Sequence, residues 1–220
     1  MNIYNKILDA FVDLRPGAGR GWKGKPFVIG EKAIATDSCT MVIVPAVKTI
    51  GIELLTEYDP ASVLKVIPGA AFRGRNIPVP LDVVKAKIQH LAKKPEIILK
   101  DCGACDGEGW VEYQFIYKDI HHTKDDECPV CRGEGDVCAG YTGRKVYEEN
   151  LYFKAIDCVY SAKLFDKALY AADLLGVDKI TITRQEPTSC TVMEFGDIEI
   201  LLMPTVKKEF EDDEQLIAIL

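Results

Sequence analysis

The stretch CGACDGEGW, beginning at Cys102, and the stretch CPVCRGEGD, beginning at Cys128, repeat one pattern, C-x-x-C-x-G-x-G, with 22 residues between Cys105 and Cys128. No other feature restricts this chain so tightly. A C-x-x-C turn sets two sulfurs about one tetrahedral edge apart, and two such turns complete an all-thiolate site of the kind zinc takes. The glycines let the backbone adopt φ > 0 and fold back, so that amide N–H groups can point at the sulfurs. A redox or disulfide pair is the alternative. That use places C-x-x-C at a helix start after a strand, and no helix-forming run follows either pair. The expectation is one structural zinc ion held by Cys102, Cys105, Cys128 and Cys131. His121 and His122 lie between the pairs and could serve as ligands, but four cysteines make them unnecessary, so they read as solvated loop residues.

Between the pairs, WVEYQFIYK alternates Val111, Tyr113, Phe115 and Tyr117 on one face. This predicts a strand that leaves the first knuckle, turns at DIHHTKDDE and returns to the second. A unit of some thirty residues buries too little apolar surface to hold itself together, and domains below ~40 residues usually need a metal or a disulfide. The double motif resembles the cysteine-rich zinc finger of DnaJ-type co-chaperones over Cys102 to Gly135. That family carries four repeats where this chain has two, and the J-domain's His-Pro-Asp signature is absent. The resemblance implies a zinc site, and a module through which a peptide or partner protein could be held.

The remaining cysteines of the eight, Cys39, Cys138, Cys158 and Cys190, are scattered and read as small buried hydrophobes. MNIYNKILDAFVDLR contains acidic residues and no small-residue cleavage site, so no signal peptide is expected. The thiols then read as reduced and the protein as cytoplasmic. Apolar runs such as IEILLMPTV are far too short for a membrane span. The net charge of −7 argues against a generally basic coat but leaves room for a local basic face.

The flanks of the cysteine region show an internal repeat. VIVPAVK (42–48) and LLMPTVK (201–207) are both apolar strands running into Pro, a small residue, Val and Lys. Each follows an amphipathic segment, NKILDAFVDL (5–14) or DKALYAADLL (166–175), matching at Lys6/Lys167, Leu8/Leu169, Ala10/Ala171 and Leu14/Leu175. The pattern predicts two halves, each a helix followed by three strands. Helices are expected over 3–14 and 163–175, with strands at PFVIG, KAIATD, TMVIVPA, LYFKAIDCVY, KITITR, CTVMEF and DIEILLMPTV. Between the halves, Asp59-Pro60 starts a short helix reaching Ile67, PGAAFRGRNIPVP reads as a loop, and LDVVKAKIQHLAKK places Leu81, Val84, Ile88 and Leu91 on one helical face.

A duplicated helix-plus-antiparallel-strands half, with Ala35-Thr36-Asp37 early and Leu202-Met203-Pro204 last, resembles the bacterial β sliding clamp over roughly residues 1–50 and 150–207. The expected fold class is therefore α+β: a clamp-like domain from 1–100 and 136–208, a zinc-bound β-hairpin inserted over 101–135, and an acidic-then-apolar tail over 209–220. Clamps join two or three such domains per chain, and this chain has enough for one. The resemblance implies a replication or DNA-processing accessory role in which helices offer cations to duplex DNA. The candidates are Lys6, Lys163 and Lys167, joined by Arg15, Arg20, Lys23 and Lys25 of the basic loop RPGAGRGWKGK. The tail EFEDDEQLIAIL reads first as an end that frays or packs on its own domain; its QLIAIL also resembles the Gln-Leu peptides that dock on clamps, and the alternative is self-association through it.

Enzyme signatures are missing: no H-E-x-x-H, G-x-S-x-G or Walker lysine motif is present. Gly19 to Gly24 match G-x-G-x-x-G but follow a helix instead of a strand, the reverse of a dinucleotide site. His90 reads as a surface residue. A four-cysteine zinc has no open position, so a non-enzymatic protein is expected.

Overall fold

The computed structural model describes residues 2–15, 24–54, 63–67, 76–186, 189–206 and 211–220. The chain folds into two compact units. One gathers the N-terminal segment, most of 22–94 and residues 146–220; the other is built on Pro95–Lys145.

In the first unit, α1 spans Ile3–Ala10, its start set by Asn2, whose side chain accepts the Tyr4 N–H at 2.8 Å. It buries Ile7, Leu8 and Ala10 with Phe11 just beyond, so the helix is shorter than the 3–14 expected from periodicity. There follow β1 (Phe27–Ile29), β2 (Lys32–Thr36), β3 (Thr40–Pro45), β4 (Ile77–Pro80) and α2 (Leu81–Ile88). IPVP, expected in a loop, is thus an edge strand. Proline is tolerated there because an outward-facing position needs no ladder donor. Leu81, Val84 and Ile88 are buried on α2 as the spacing predicts, but the helix ends before Leu91. Of the expected short helix before Ile67, Asp59 and Pro60 lie outside the described residues; Val63 and Leu64 are helical and the chain leaves through a turn, with Val66 N–H donating to the Val63 carbonyl and Ile67 N–H to that of Leu64.

The second half supplies β9 (Leu151–Ala155), β10 (Cys158–Ser161), α3 (Ala162–Leu175), β11 (Lys179–Glu186), β12 (Ser189–Phe195) and β13 (Ile198–Leu202). LYFKAIDCVY is therefore a hairpin in place of the single strand expected, with Ile156 at φ 55 in its turn. Gly176 closes α3 at φ 65: its N–H and that of Val177 satisfy the carbonyls of Asp173 and Ala172.

Seven strands form one antiparallel sheet in the order β1-β2-β3-β13-β12-β11-β4. The two strands that carry the Pro-small-Val-Lys repeat, β3 and β13, are neighbours at its middle, Val42 opposite Ile200 and Met41 opposite Leu201. Each is preceded by a two-strand meander and a helix, and α1 packs on α3. The main core lies on the helix side, with Ala33, Ala35, Val42, Val44, Ile200 and Leu202 under Ile7, Leu8 and Phe165. Ile34, Met41, Ile43, Val192 and Leu201 point to the other face and meet Phe27 and Val63. Burial on both faces explains why these strands read as unbroken apolar runs.

A second sheet, β10-β9-β14, also packs on α3. Its strand β14 (Gln215–Ala218) pairs in parallel with β9, Ile217 opposite Phe153, and Ile219 is fully buried. The tail packs on its own unit, the first of the two readings, because its alternating apolar residues find a strand edge there, and QLIAIL is not left free as a docking peptide.

The other unit contains β5 (Lys94–Asp101), β6 (Trp110–Tyr117), β7 (Ile120–Glu127) and β8 (Asp136–Val146). β5 pairs with β8 and β6 with β7. Glu96 of β5 is buried, and the Arg144 guanidinium of β8 grips its carboxylate from Nε at 2.8 Å and Nη2 at 2.7 Å, while the Thr142 hydroxyl donates at 2.8 Å. The β6–β7 turn is Lys118-Asp119, both at positive φ, so most of DIHHTKDDE is the return strand.

Candidate metal centre

No large aliphatic or aromatic side chain is buried between Pro95 and Lys145; the enclosed positions are Glu96, the four motif cysteines, Gly109 and Gly135. Cys102, Cys105, Cys128 and Cys131 form a cluster of their own, with only Val111 and Val137 packed against it. Their sulfurs all lie within 4.8 Å of one another. The pairs drawn from opposite knuckles stand at 3.9 Å (Cys102–Cys128) and 3.7 Å (Cys105–Cys131). A tetrahedron with Zn–S bonds of about 2.3 Å has edges of about 3.8 Å. The donor set therefore fits one zinc ion.

Two knuckles build this cluster in the same way. Glu108 N–H donates to the Cys105 carbonyl and Glu134 N–H to the Cys131 carbonyl, while Asp106 and Arg132 turn the chain at φ 50 and 56. The Gly109 and Gly135 amides then point at sulfur, to Cys105 Sγ at 3.2 Å and Cys131 Sγ at 3.3 Å. The knuckles also bind each other reciprocally: Cys102 N–H donates to the Gly135 carbonyl and Cys128 N–H to that of Gly109. A Cβ at Gly109 would lie 2.4 Å from the Gly133 carbonyl oxygen, and one at Gly135 would lie 2.4 Å from that of Gly107. The second glycine of each motif is thus required by space as well as by its φ near +80.

Backbone amides of Cys131 and Val130 pull the Cys128 thiol down to about 7, against burial, whereas burial pushes the Cys131 thiol up. His121 and His122 stand on β7, not in a loop; His122 stacks on Phe115, ring centroids 5.1 Å apart. Of the scattered cysteines, Cys158 is buried and Cys190 half-buried, but Cys39 and Cys138 are exposed, contrary to expectation. Both follow turn or open-ribbon positions, where a neighbouring apolar residue does not imply a core.

The proposed DNA contacts are not brought together on the helices. α3 is enclosed on nearly every side, with Asp166 and Lys167 among its buried residues. Lys167, 8% exposed, places its ammonium 2.6 Å from Asp37 Oδ2, while Asp37 Oδ1 accepts the N–H groups of Cys39 and Thr40. Lys167 is therefore committed to the turn after β2 and is not offered to a phosphate. Lys163 meets Glu149 at 3.1 Å and holds that carboxyl below its ordinary range. Lys6 and Arg15 are exposed, and Lys25 makes a 3.3 Å surface pair with Glu53. Arg20 and Lys23 lie outside the described residues. The Lys167–Asp37 tie, which explains the Asp of the Ala-Thr-Asp turn, escaped sequence reasoning because 130 residues separate its partners.

The described chain is a mixed α+β protein, mostly antiparallel, whose fold is distantly similar to the DNA polymerase sliding clamps of bacteria. Among solved structures it is similar to the Helicobacter pylori β clamp bound to a DNA ligase peptide (11% identity, TM-score 0.46, 93% of this chain and 63% of that one). It is also similar to Caulobacter crescentus pol III beta (12%, 0.45, 94% and 65%) and to the Pseudomonas aeruginosa DNA polymerase sliding clamp (12%, 0.43, 94% and 64%). The chain thus spans less than two thirds of their length. No protein-family model and no curated protein matches it.

Proposed function

We propose that this protein is a non-enzymatic, sliding-clamp-like accessory protein of DNA replication or processing. One structural zinc ion, bound by Cys102, Cys105, Cys128 and Cys131, would clip its inserted hairpin. The observation that carries the reading is the pairing of β3 with β13. The two strands that share a sequence signature lie side by side and antiparallel, each at the end of a helix-and-three-strand series, as a duplicated clamp domain requires. An ion enclosed by four thiolates has no open coordination position, which suits a structural and not a catalytic role. A site that needs four reduced thiols suits a reducing compartment, which supports a cytoplasmic location.

Duplex DNA is met through the α1–β1 connection and not through α3. From Leu14 to Phe27 the sequence has no carboxylate and carries Arg15, Arg20, Lys23 and Lys25, with Lys6 on the helix before it. Four phosphate contacts give a salt slope near −3.6, so affinity should fall about 150-fold between 50 and 200 mM salt. Fluorescence anisotropy with a labelled duplex tests this. Replacing Arg15, Arg20, Lys23 and Lys25 with Glu should abolish binding, and Lys163→Glu should leave it within about threefold. Absence of binding at low salt, or sensitivity to Lys163→Glu alone, defeats the proposal.

A further inference from the structure

The β6–β7 ribbon has two unlike faces. Its register sets Val111, Tyr113, Phe115 and Tyr117 on one side together with Ile120, His122, Lys124 and Asp126. The opposite side carries Glu112, Gln114, Asp125 and Glu127 beside Trp110 and Ile116. On the aromatic side Tyr113, Phe115, Tyr117 and Ile120 remain 44–60% exposed. Among the described residues, every exposed large aromatic of the protein, Trp110, Tyr113, Phe115, Tyr117 and Tyr141, belongs to this unit. Elsewhere the exposed hydrophobics are aliphatic side chains and Met203. Contiguous apolar surface of this kind marks an interaction site.

Charge selects the occupant. Between Pro95 and Lys145 eleven carboxylates stand against six Lys and Arg, so this stretch carries −5 of the chain's −7. Four thiolates around a dication add two further negative charges. The cations of the aromatic face are already engaged: Lys124 meets Asp126 at 2.7 Å, and Lys118 sits 5.2 Å from the Tyr117 ring centroid. A nucleic acid brings negative charge to this unit, and so does the same unit of a second copy. A basic polypeptide brings the complement.

We propose that the aromatic face of the β6–β7 hairpin docks a partner protein through a segment that combines apolar or aromatic side chains with Lys or Arg. This rests on the cysteine unit being a zinc-clipped structural module, and it stands apart from the DNA contact proposed above. The hairpin supplies stacking surface, and its acidic back and base steer the cationic segment onto it.

The test is selection from a phage-displayed random peptide library against the full-length, zinc-loaded protein, followed by titration of synthetic copies of the enriched peptides. Phe115→Ser and Tyr117→Ser are the variants, with Tyr113→Ser as a third; all replace exposed side chains, and zinc content is measured on each sample. Enriched peptides should be basic and apolar, and the variants should lose about tenfold or more in affinity at unchanged zinc content. Acidic or uncharged winners overturn the charge argument, and winners that bind the variants equally overturn the choice of face. No enrichment from zinc-loaded protein overturns the docking proposal, whereas a protein without zinc overturns the module on which it rests. Concentration-dependent self-association, or DNA binding, that disappears in Phe115→Ser assigns the face to a second copy or to nucleic acid instead.

Discussion

Replacing Gly109 with Ala is the sharpest probe of the metal centre. The new Cβ would stand 2.4 Å from the Gly133 carbonyl oxygen, a backbone atom that cannot swing away, at a residue with φ +81. An L residue in this left-handed region costs about 1–2 kcal/mol. Relieving the clash moves the Gly109 amide off Cys105 Sγ, where it now lies at 3.2 Å. It also disturbs the Gly109 carbonyl that accepts the Cys128 N–H at 2.8 Å. A hydrogen bond to a charged acceptor is worth about 1.5–3 kcal/mol, so the combined loss is about 2.5–5 kcal/mol. Expressed as affinity, that is roughly a seventy- to several-thousand-fold weaker grip on zinc. The control is Gly103→Ala in the same knuckle, where a Cβ meets nothing within 4 Å and φ is not positive. Competition titration against a fluorescent zinc chelator, with metal content of the purified proteins alongside, should give one zinc per chain for the parent. It should also show near-parental affinity for Gly103→Ala and the stated loss for Gly109→Ala. Equal affinities for the two alanine variants would refute the reasoning.

Two further outcomes follow from the first unit. Lys167→Ala strands Asp37 in a nearly buried position, its carboxylate no longer meeting the ammonium 2.6 Å away, and should lower stability by about 3–5 kcal/mol. Denaturant unfolding monitored by circular dichroism measures it, and a loss under about 1 kcal/mol, as for a surface pair, would place Lys167 at the surface after all. Truncation after Lys208 removes β14 and the buried Ile219, so it should depress the melting temperature while leaving the mass by light scattering unchanged. A lower oligomeric state with an unchanged melting temperature would restore the tail as a contact between chains.

Much of the fold could be read from local pattern. Strands buried on both faces are apolar throughout, so TMVIVPA and IEILL declare themselves without knowledge of their partners. The knuckles are legible for a different reason. Two ligands, their spacing and the glycines that let the amides reach sulfur all fall within eight residues, so the chemistry is local. The β5–β8 ribbon was not legible. Its strands are half polar and interrupted by Gly140 and Gly143, and their lock, Glu96 with Arg144, joins residues 48 apart. The IPVP edge was missed because proline usually signals a loop, and only the neighbouring β11 makes it a strand.

Residue order alone was enough wherever the pattern closes within a turn or a strand: each cysteine pair with its glycines, alternation on β6, and a repeated helix-to-strand order. Which side of an element meets water was settled only by packing. The amphipathic pattern of Lys163–Leu175 placed Lys167 on a helix, but packing of that helix against α1 and the turn after β2 turned its cation into a buried partner of Asp37, 5.6 Å from the Phe11 ring centroid. The reverse holds for Tyr113, Phe115 and Tyr117, whose alternation promises a buried face. Among the described residues, the second unit encloses only thiols, Glu96 and glycine, and so leaves those rings in solvent. Periodicity fixes which side chains share a face; burial depends on what the rest of the chain brings to cover it.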